Sequence, residues 1–234
     1  MQFSKKNYIK LINTFKNQGY SFKDYSNFHL TKNIILRHDV DFYLEAAEEL
    51  AKIEYKENVK SNFFFMASNN FYNITSKYSQ RIIKNIKKLG HNISLHYDHT
   101  NHYNINKGLK LEKNLFEDIF NLKIKIISIH RPGNFIAKSR RFKSTRHTYE
   151  KPYFKKIGYY SDSRGSFRYG NPAESKEFKD KKTIQLLIHP IWWVAKGNTP
   201  SEKIKYWVQN KLHFFQREII LNNKAYNKRK LILK

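Results

Sequence analysis

Two neighbouring carboxylates and a set of histidines are the residues of this sequence best suited to chemistry. In Arg37-His38-Asp39-Val40-Asp41, the aspartates stand at positions i and i+2. At the end of a strand that spacing points both side chains to one face. Two adjacent carboxylates resist joint ionisation unless a cation sits between them. A divalent ion on one of them would leave the other as a base. The plainer alternative is an acidic turn after a strand, with Asp41 capping the following helix. The second group is Gly90-His91-Asn92-Ile93-Ser94-Leu95-His96-Tyr97-Asp98-His99, with His102 shortly after. His96 lies where a strand should end, and a neutral imidazole there can bind Zn²⁺. His91 precedes that strand and reads as a structural contact. His130 and His189 close two later apolar runs. The chain has no cysteine, so any metal must be held by His, Asp or Glu.

The elements that would position these residues alternate between strand and helix, the pattern of an α/β fold with a largely parallel sheet. Residues 4–18 have helical spacing, with Tyr8, Leu11, Ile12 and Phe15 on one face. Apolar strands are expected at 33–36, 61–66, 92–96, 125–129 and 183–188, with a short one near 159–162. Helices are expected between them. The one at 76–89 carries Ile82, Ile83, Ile86 and Leu89 and stops at Gly90. The one near 108–122 is expected to bury Leu111, Leu115, Ile119 and Leu122. A C-terminal helix at about 200–221 is expected to pack through Ile204, Trp207, Val208, Leu212, Phe215 and Ile219. Asp39 and Asp41, His96, His130, Asp162 and His189 then stand at the C-terminal ends of five strands. In parallel barrel-like folds that rim is where active sites are built.

At this point a resemblance becomes specific. The segments Arg37-His38-Asp39-Val40-Asp41, Gly90-His91-Asn92-Ile93-Ser94-Leu95-His96, His130-Arg131-Pro132-Gly133, Tyr160-Ser161-Asp162-Ser163 and Leu187-Ile188-His189-Pro190 occur in one order. Together they resemble the ordered motifs of the polysaccharide-deacetylase (NodB-homology, carbohydrate esterase family four) superfamily. They look closest to a divergent branch with an R-H-D-V-D opening and an H-P-x-W-W ending. The resemblance runs from about residue 30 to 195. It implies an α/β fold, a distorted (β/α) barrel with mainly parallel strands, and one divalent metal ion, zinc first among them. It implies Asp39 as base, Asp41 and His96 as metal ligands, Arg131 as the residue orienting Asp39, and His189 as proton donor. The family's second motif usually reads H-x-x-x-H, but here the second histidine's place holds Thr100. The third ligand is therefore open among His130, His99, His102 and Asp98. His130 is favoured because a strand end sets its direction.

The implied reaction removes an N-acyl group, most simply acetyl, from an amino sugar in surface-polysaccharide or glycoconjugate synthesis. Trp192 and Trp193 could stack on a sugar ring or plug the core. Asp162 is a further substrate-contact candidate. Arg140 lies in a basic run, residues 138–147, that could attract an anionic sugar carried on a nucleotide or a lipid, or be a solvated loop.

The length of 234 residues suits one domain, with the two terminal helices packed on it. The formal charge is +26, which raises nucleic acid as a partner. The lysines are scattered, however, and no helix-turn-helix, zinc-finger or RNP pattern accompanies them. A surface rich in lysine is the simpler reading. No apolar leader follows Met1 and no stretch is long enough to span a membrane, so a cytoplasmic protein is expected. A module that keeps the fold without catalysis is the competing class, and metal content separates the two.

Overall fold

The computed structural model describes residues 2–137, 142 and 145–223. The chain divides into two compact units, residues 1–194 and 195–234.

In the first unit the order is α1 (Lys5–Asn17), β1 (Ser21–Phe22), β2 (Asn33–Val40), α2 (Leu44–Lys56), β3 (Asn62–Phe65), α3 (Lys77–Lys88), β4 (Asn92–Tyr97), α4 (Ile105–Phe120) and β5 (Ile126–Ile129). There follow α5 (Gly133–Ala137), β6 (Arg146–His147), α6 (Lys151–Phe154), β7 (Gly158–Ser161), α7 (Lys176–Lys179), β8 (Ile184–Ile188) and α8 (Pro190–Val194). The second unit holds α9 (Pro200–Asn222).

The strands form one sheet in the order β6-β5-β4-β3-β2-β8-β7, with β1 also paired to β2. Every strand pair is parallel. Among the described residues the two ends of the sheet do not pair, yet they curl toward each other. Tyr149, just past β6, meets Tyr159 of β7 at 6.0 Å between ring centroids. Gln185 of β8 donates to the carbonyls of Thr148 and Tyr153. The result is a distorted, open (β/α) barrel.

Strand alternation sorts the side chains. Phe63, Phe65, Leu95, Ile127 and Ile129 pack in one large cluster with apolar residues of α2, α3 and α4, including Ala47, Ile83 and Phe116. Ile35 and Phe64 belong to a second cluster with Tyr25 and Tyr153. Helix α1 is capped by Ser4 and buries Tyr8, Leu11, Ile12 and Phe15, as its spacing predicts.

Helix α4 departs from expectation. It starts at Ile105, capped by Asn104, and buries Leu109, Glu112, Phe116 and Phe120; of the four residues expected inward, Ile119 and Leu122 pack partly buried against the core, while Leu111 and Leu115 are exposed. Both sets have helical spacing. Two phenylalanines remove more apolar surface from water than the competing leucines, and that decides which face turns inward. Helix α9 also departs: Trp207 is buried, but Ile204, Val208, Leu212, Phe215 and Ile219 are exposed.

Candidate metal and catalytic site

Parallel neighbours in register bring the strand ends together. Asp39 pairs with Phe64 across β2 and β3, and His96 with Ser128 across β4 and β5. Asp41 follows β2, His130 follows β5 and His189 follows β8.

Three donor atoms converge from those ends. Asp41, His96 and His130 each offer one ligand atom, all within 4.8 Å of one another. His96 Nε2 is 3.1 Å from His130 Nδ1, and Asp41 Oδ1 is 3.2 Å and 3.3 Å from those nitrogens. Ligands of tetrahedral zinc at ~2.0–2.1 Å from the ion stand about 3.3–3.4 Å apart, so this triangle fits such an ion. Asp41 Oδ1 is buried and takes no well-formed hydrogen bond. Burial works against its charge, but His130 and His96 beside it hold the Asp41 carboxyl well below its ordinary range. Two imidazoles and a carboxylate, with no thiolate, are a common donor set of hydrolytic zinc sites.

Ser128 sets the tautomer of His96. Its hydroxyl donates to Asp39 Oδ1 at 3.0 Å, so its oxygen is left to accept from His96 Nδ1, which contacts it. That leaves the lone pair on Nε2, the atom facing Asp41 and His130. Such an outer hydrogen bond fixes a ligand's orientation and tautomer. Nothing in the sequence marked Ser128; alternation along β5, two residues before His130, was the available signal.

Asp39 is 2% exposed. Arg37 holds both of its oxygens, Nε to Oδ1 at 2.9 Å and an Nη to Oδ2 at 2.6 Å. The guanidinium also lies 4.7 Å from the centre of the Tyr149 ring and donates to its hydroxyl. Burial alone would raise the Asp39 carboxyl, but Arg37, and then His96, bring it below its ordinary value. This corrects the expectation for Arg131. The orienting residue is Arg37, two positions before Asp39 on the same strand face, whereas Arg131 is exposed.

His189 stands across the site, its Nε2 3.9 Å from Asp41 Oδ2. Its Nδ1 bonds Asp162 Oδ1 at 2.6 Å, and its backbone N–H also donates to that carboxylate. Trp193 donates its indole N–H to Asp162 Oδ2 at 2.8 Å. Burial opposes a charge on His189, but Asp162, with Asp41 and Asp39, pushes its pKa up to about 9.

Two substrate-contact expectations are corrected here. Asp162 is fully buried and serves His189. Trp193 is 1% exposed and stacks on Phe3 at 4.4 Å, so it is the core plug of the pair. Trp192 instead lines a small cleft with Asp39, Asp41 and His189. Arg140 lies outside the described residues.

The other histidines have separate surroundings. Thr100 bonds Asp98 through both its N–H and its hydroxyl. His99 lies 5.4 Å from the Phe135 ring, and His102 bonds Glu112 at 2.6 Å. His91 bonds Ser61 and the Ala51 carbonyl, a structural contact. His38 bonds Glu54 at 2.6 Å and stacks on Phe63.

No family model matches the chain, and neither does any curated protein. Solved structures do match. One is the peptidoglycan deacetylase PdaC from Bacillus subtilis, at TM-score 0.47 and 13% identity, covering 84% of this chain and 98% of that one. A family 4 carbohydrate esterase from Bacillus anthracis gives TM-score 0.43 and 14% identity over 86% and 85% of the two chains. BA3943, a CE4 family pseudoenzyme also from Bacillus anthracis, gives 0.40 and 16% over 75% and 59%.

Proposed function

We propose that the protein is a metal-dependent hydrolase that removes an N-acyl group, acetyl first, from an amino sugar. Its substrate is a precursor of a surface polysaccharide or glycoconjugate, carried on a nucleotide or a lipid. One observation carries this reading: a zinc-sized triangle of Asp41, His96 and His130 has Asp39 3.8 Å from the His96 ring and His189 3.9 Å from Asp41.

An amide is a poor electrophile and an amine a poor leaving group, so both ends of the reaction need help. A divalent ion held by Asp41, His96 and His130 would polarise the acyl carbonyl and acidify a water. Asp39, kept ionised and aimed by Arg37 and Ser128, accepts the proton of the attacking water. The water oxygen bonds to the carbonyl carbon. The C–N bond then breaks, and the departing nitrogen takes its proton from His189 Nε2. Asp162 holds Nδ1 and favours the charged ring, so His189 starts the step with a proton to give. Free acid and an amino sugar result. Trp192, Phe42 and Tyr43 line the cleft and are the aromatic side chains available to a sugar ring.

The test is release of primary amine from free, nucleotide-linked and lipid-linked N-acetylated sugars by the zinc-loaded chain. Asp39→Asn should keep zinc and lose roughly 10²–10⁴ of turnover, since an amide cannot act as the base. No amine from any of these substrates, or an Asp39→Asn protein within a few-fold of wild type, would overturn the reading.

The pH profile checks the donor separately. His189 must be protonated, so kcat/KM should fall as pH rises through the His189 pKa. Asp162→Asn removes the main partner that raises it. The alkaline limb should then move to lower pH by about one pH unit or more. An unmoved limb would show that another group donates the proton.

A further inference from the structure

Helix α9 has an apolar stripe that the catalytic reading does not use. Ile204, Val208, Leu212, Phe215 and Ile219 follow one another at spacings of four, four, three and four, and are between 38% and 50% exposed. They run about 22 Å along one side of the helix. Five large apolar side chains in one exposed row are unusual on a monomer and mark an interaction surface. The helix itself is firmly started. Thr199 and Glu202 form a reciprocal capping box, and Pro200 opens the first turn.

Charge says what would cover the stripe. Among the described residues from 195 onward there are five Lys or Arg against two Glu, and the remaining sequence adds five more basic residues and no acidic one. Lys205 and Lys211 flank the stripe on α9, and the Lys211 ammonium sits 4.7 Å from the Phe214 ring. Two copies brought together along this stripe would oppose two strongly basic segments, whereas an anionic surface would attract one. No described helix is long and apolar enough to cross a membrane. A basic helix with an apolar face that cannot span a bilayer is built to lie in its interface.

We propose that α9 seats the protein on an anionic phospholipid surface through Ile204, Val208, Leu212, Phe215 and Ile219. The apolar row enters the headgroup–acyl boundary, and Lys205 and Lys211, on its two flanks, meet lipid phosphates. This holds whether or not the chain is a deacetylase, because none of these residues belongs to the metal and catalytic site.

The experiment is co-flotation of the full chain with vesicles. Phosphatidylglycerol mixed with phosphatidylcholine should carry the protein, and phosphatidylcholine alone should not. Added sodium chloride should weaken binding, as screening requires. The double variant Val208→Asp, Phe215→Asp should lose about tenfold or more of the bound fraction. Both substitutions are at exposed positions, and an unchanged melting curve verifies the fold. A charge variant, Lys205→Glu with Lys211→Glu, should weaken binding while leaving the stripe intact. Absence of flotation with phosphatidylglycerol overturns the proposal, and so does equal binding to both vesicle types. Binding unaltered in the Asp variant also overturns it. A wild-type dimer that the Asp variant makes monomeric, without vesicle binding, overturns it in favour of a second copy as the occupant.

Discussion

His130→Ala should weaken zinc binding by more than about a hundredfold, because loss of even an outer hydrogen bond to a ligand costs roughly 10–100-fold. His99→Ala and His102→Ala should leave affinity close to wild type. The geometry behind this is specific. His130 Nδ1 lies 3.1 Å from His96 Nε2 and 3.3 Å from Asp41 Oδ1, while His102 is committed to Glu112 and His99 lies beside Phe135. Asp41→Ala should be as damaging as His130→Ala, since it removes the one anionic donor of the three. Competition with a chromogenic chelator measures all four variants on one scale. If His99→Ala were the damaging histidine change, the turn after β4 would have to rearrange to supply the ligand. His130 would then be a substrate contact.

The second large effect concerns stability. Arg37→Met should destabilise the fold by about 3–5 kcal/mol, the usual consequence of breaking one side of a buried ion pair. The Arg37 and Asp39 side chains are 0% and 3% exposed, so the stranded Asp39 carboxylate would keep little compensation beyond the Ser128 hydroxyl. The Tyr149 hydroxyl would lose its guanidinium partner as well. Arg131→Met, at an exposed position, should change stability by only a few tenths of a kcal/mol. Denaturant unfolding of the two variants gives the comparison directly. Similar losses in both would mean that Arg131 shares the support of Asp39. Replacing Arg37 and Asp39 together by apolar residues should recover part of the loss, because the penalty lies in the unpaired charge rather than in the absence of the pair.

Much of this architecture is local in origin and so could be read from the chain. Apolar runs of strand length alternating with helical spacing specify the βα order, and the rise of each strand dictates which residue meets the rim. Asp39 and Asp41 share a face because of strand period alone, and His96, His130 and His189 reach the rim because each ends an apolar run. Helix α1 followed the same logic, with Ser4 as its cap and four apolar residues inward.

Where two local patterns were equally good, only packing could choose. Helix α4 carries two helical stripes, and the one with Phe116 and Phe120 is buried because it removes the larger apolar surface. The apolar stripe of α9 has the same helical spacing and is exposed. Periodicity shows that a face exists and is silent about whether anything covers it.

Partner choice is likewise a property of three dimensions. Arg131, adjacent in sequence to His130, was the expected partner of Asp39, but a bidentate pair needs a guanidinium on the same inward face, and Arg37 has that position. Ser128 and Asp162 became interpretable only once their neighbours were known, one between Asp39 and His96, the other between His189 and Trp193. The sequence by itself determined which residue types reach the rim, because strand alternation is a property of single strands. Only the tertiary structure decided which of them touch, because contacts across a curled sheet depend on register between strands far apart in the chain.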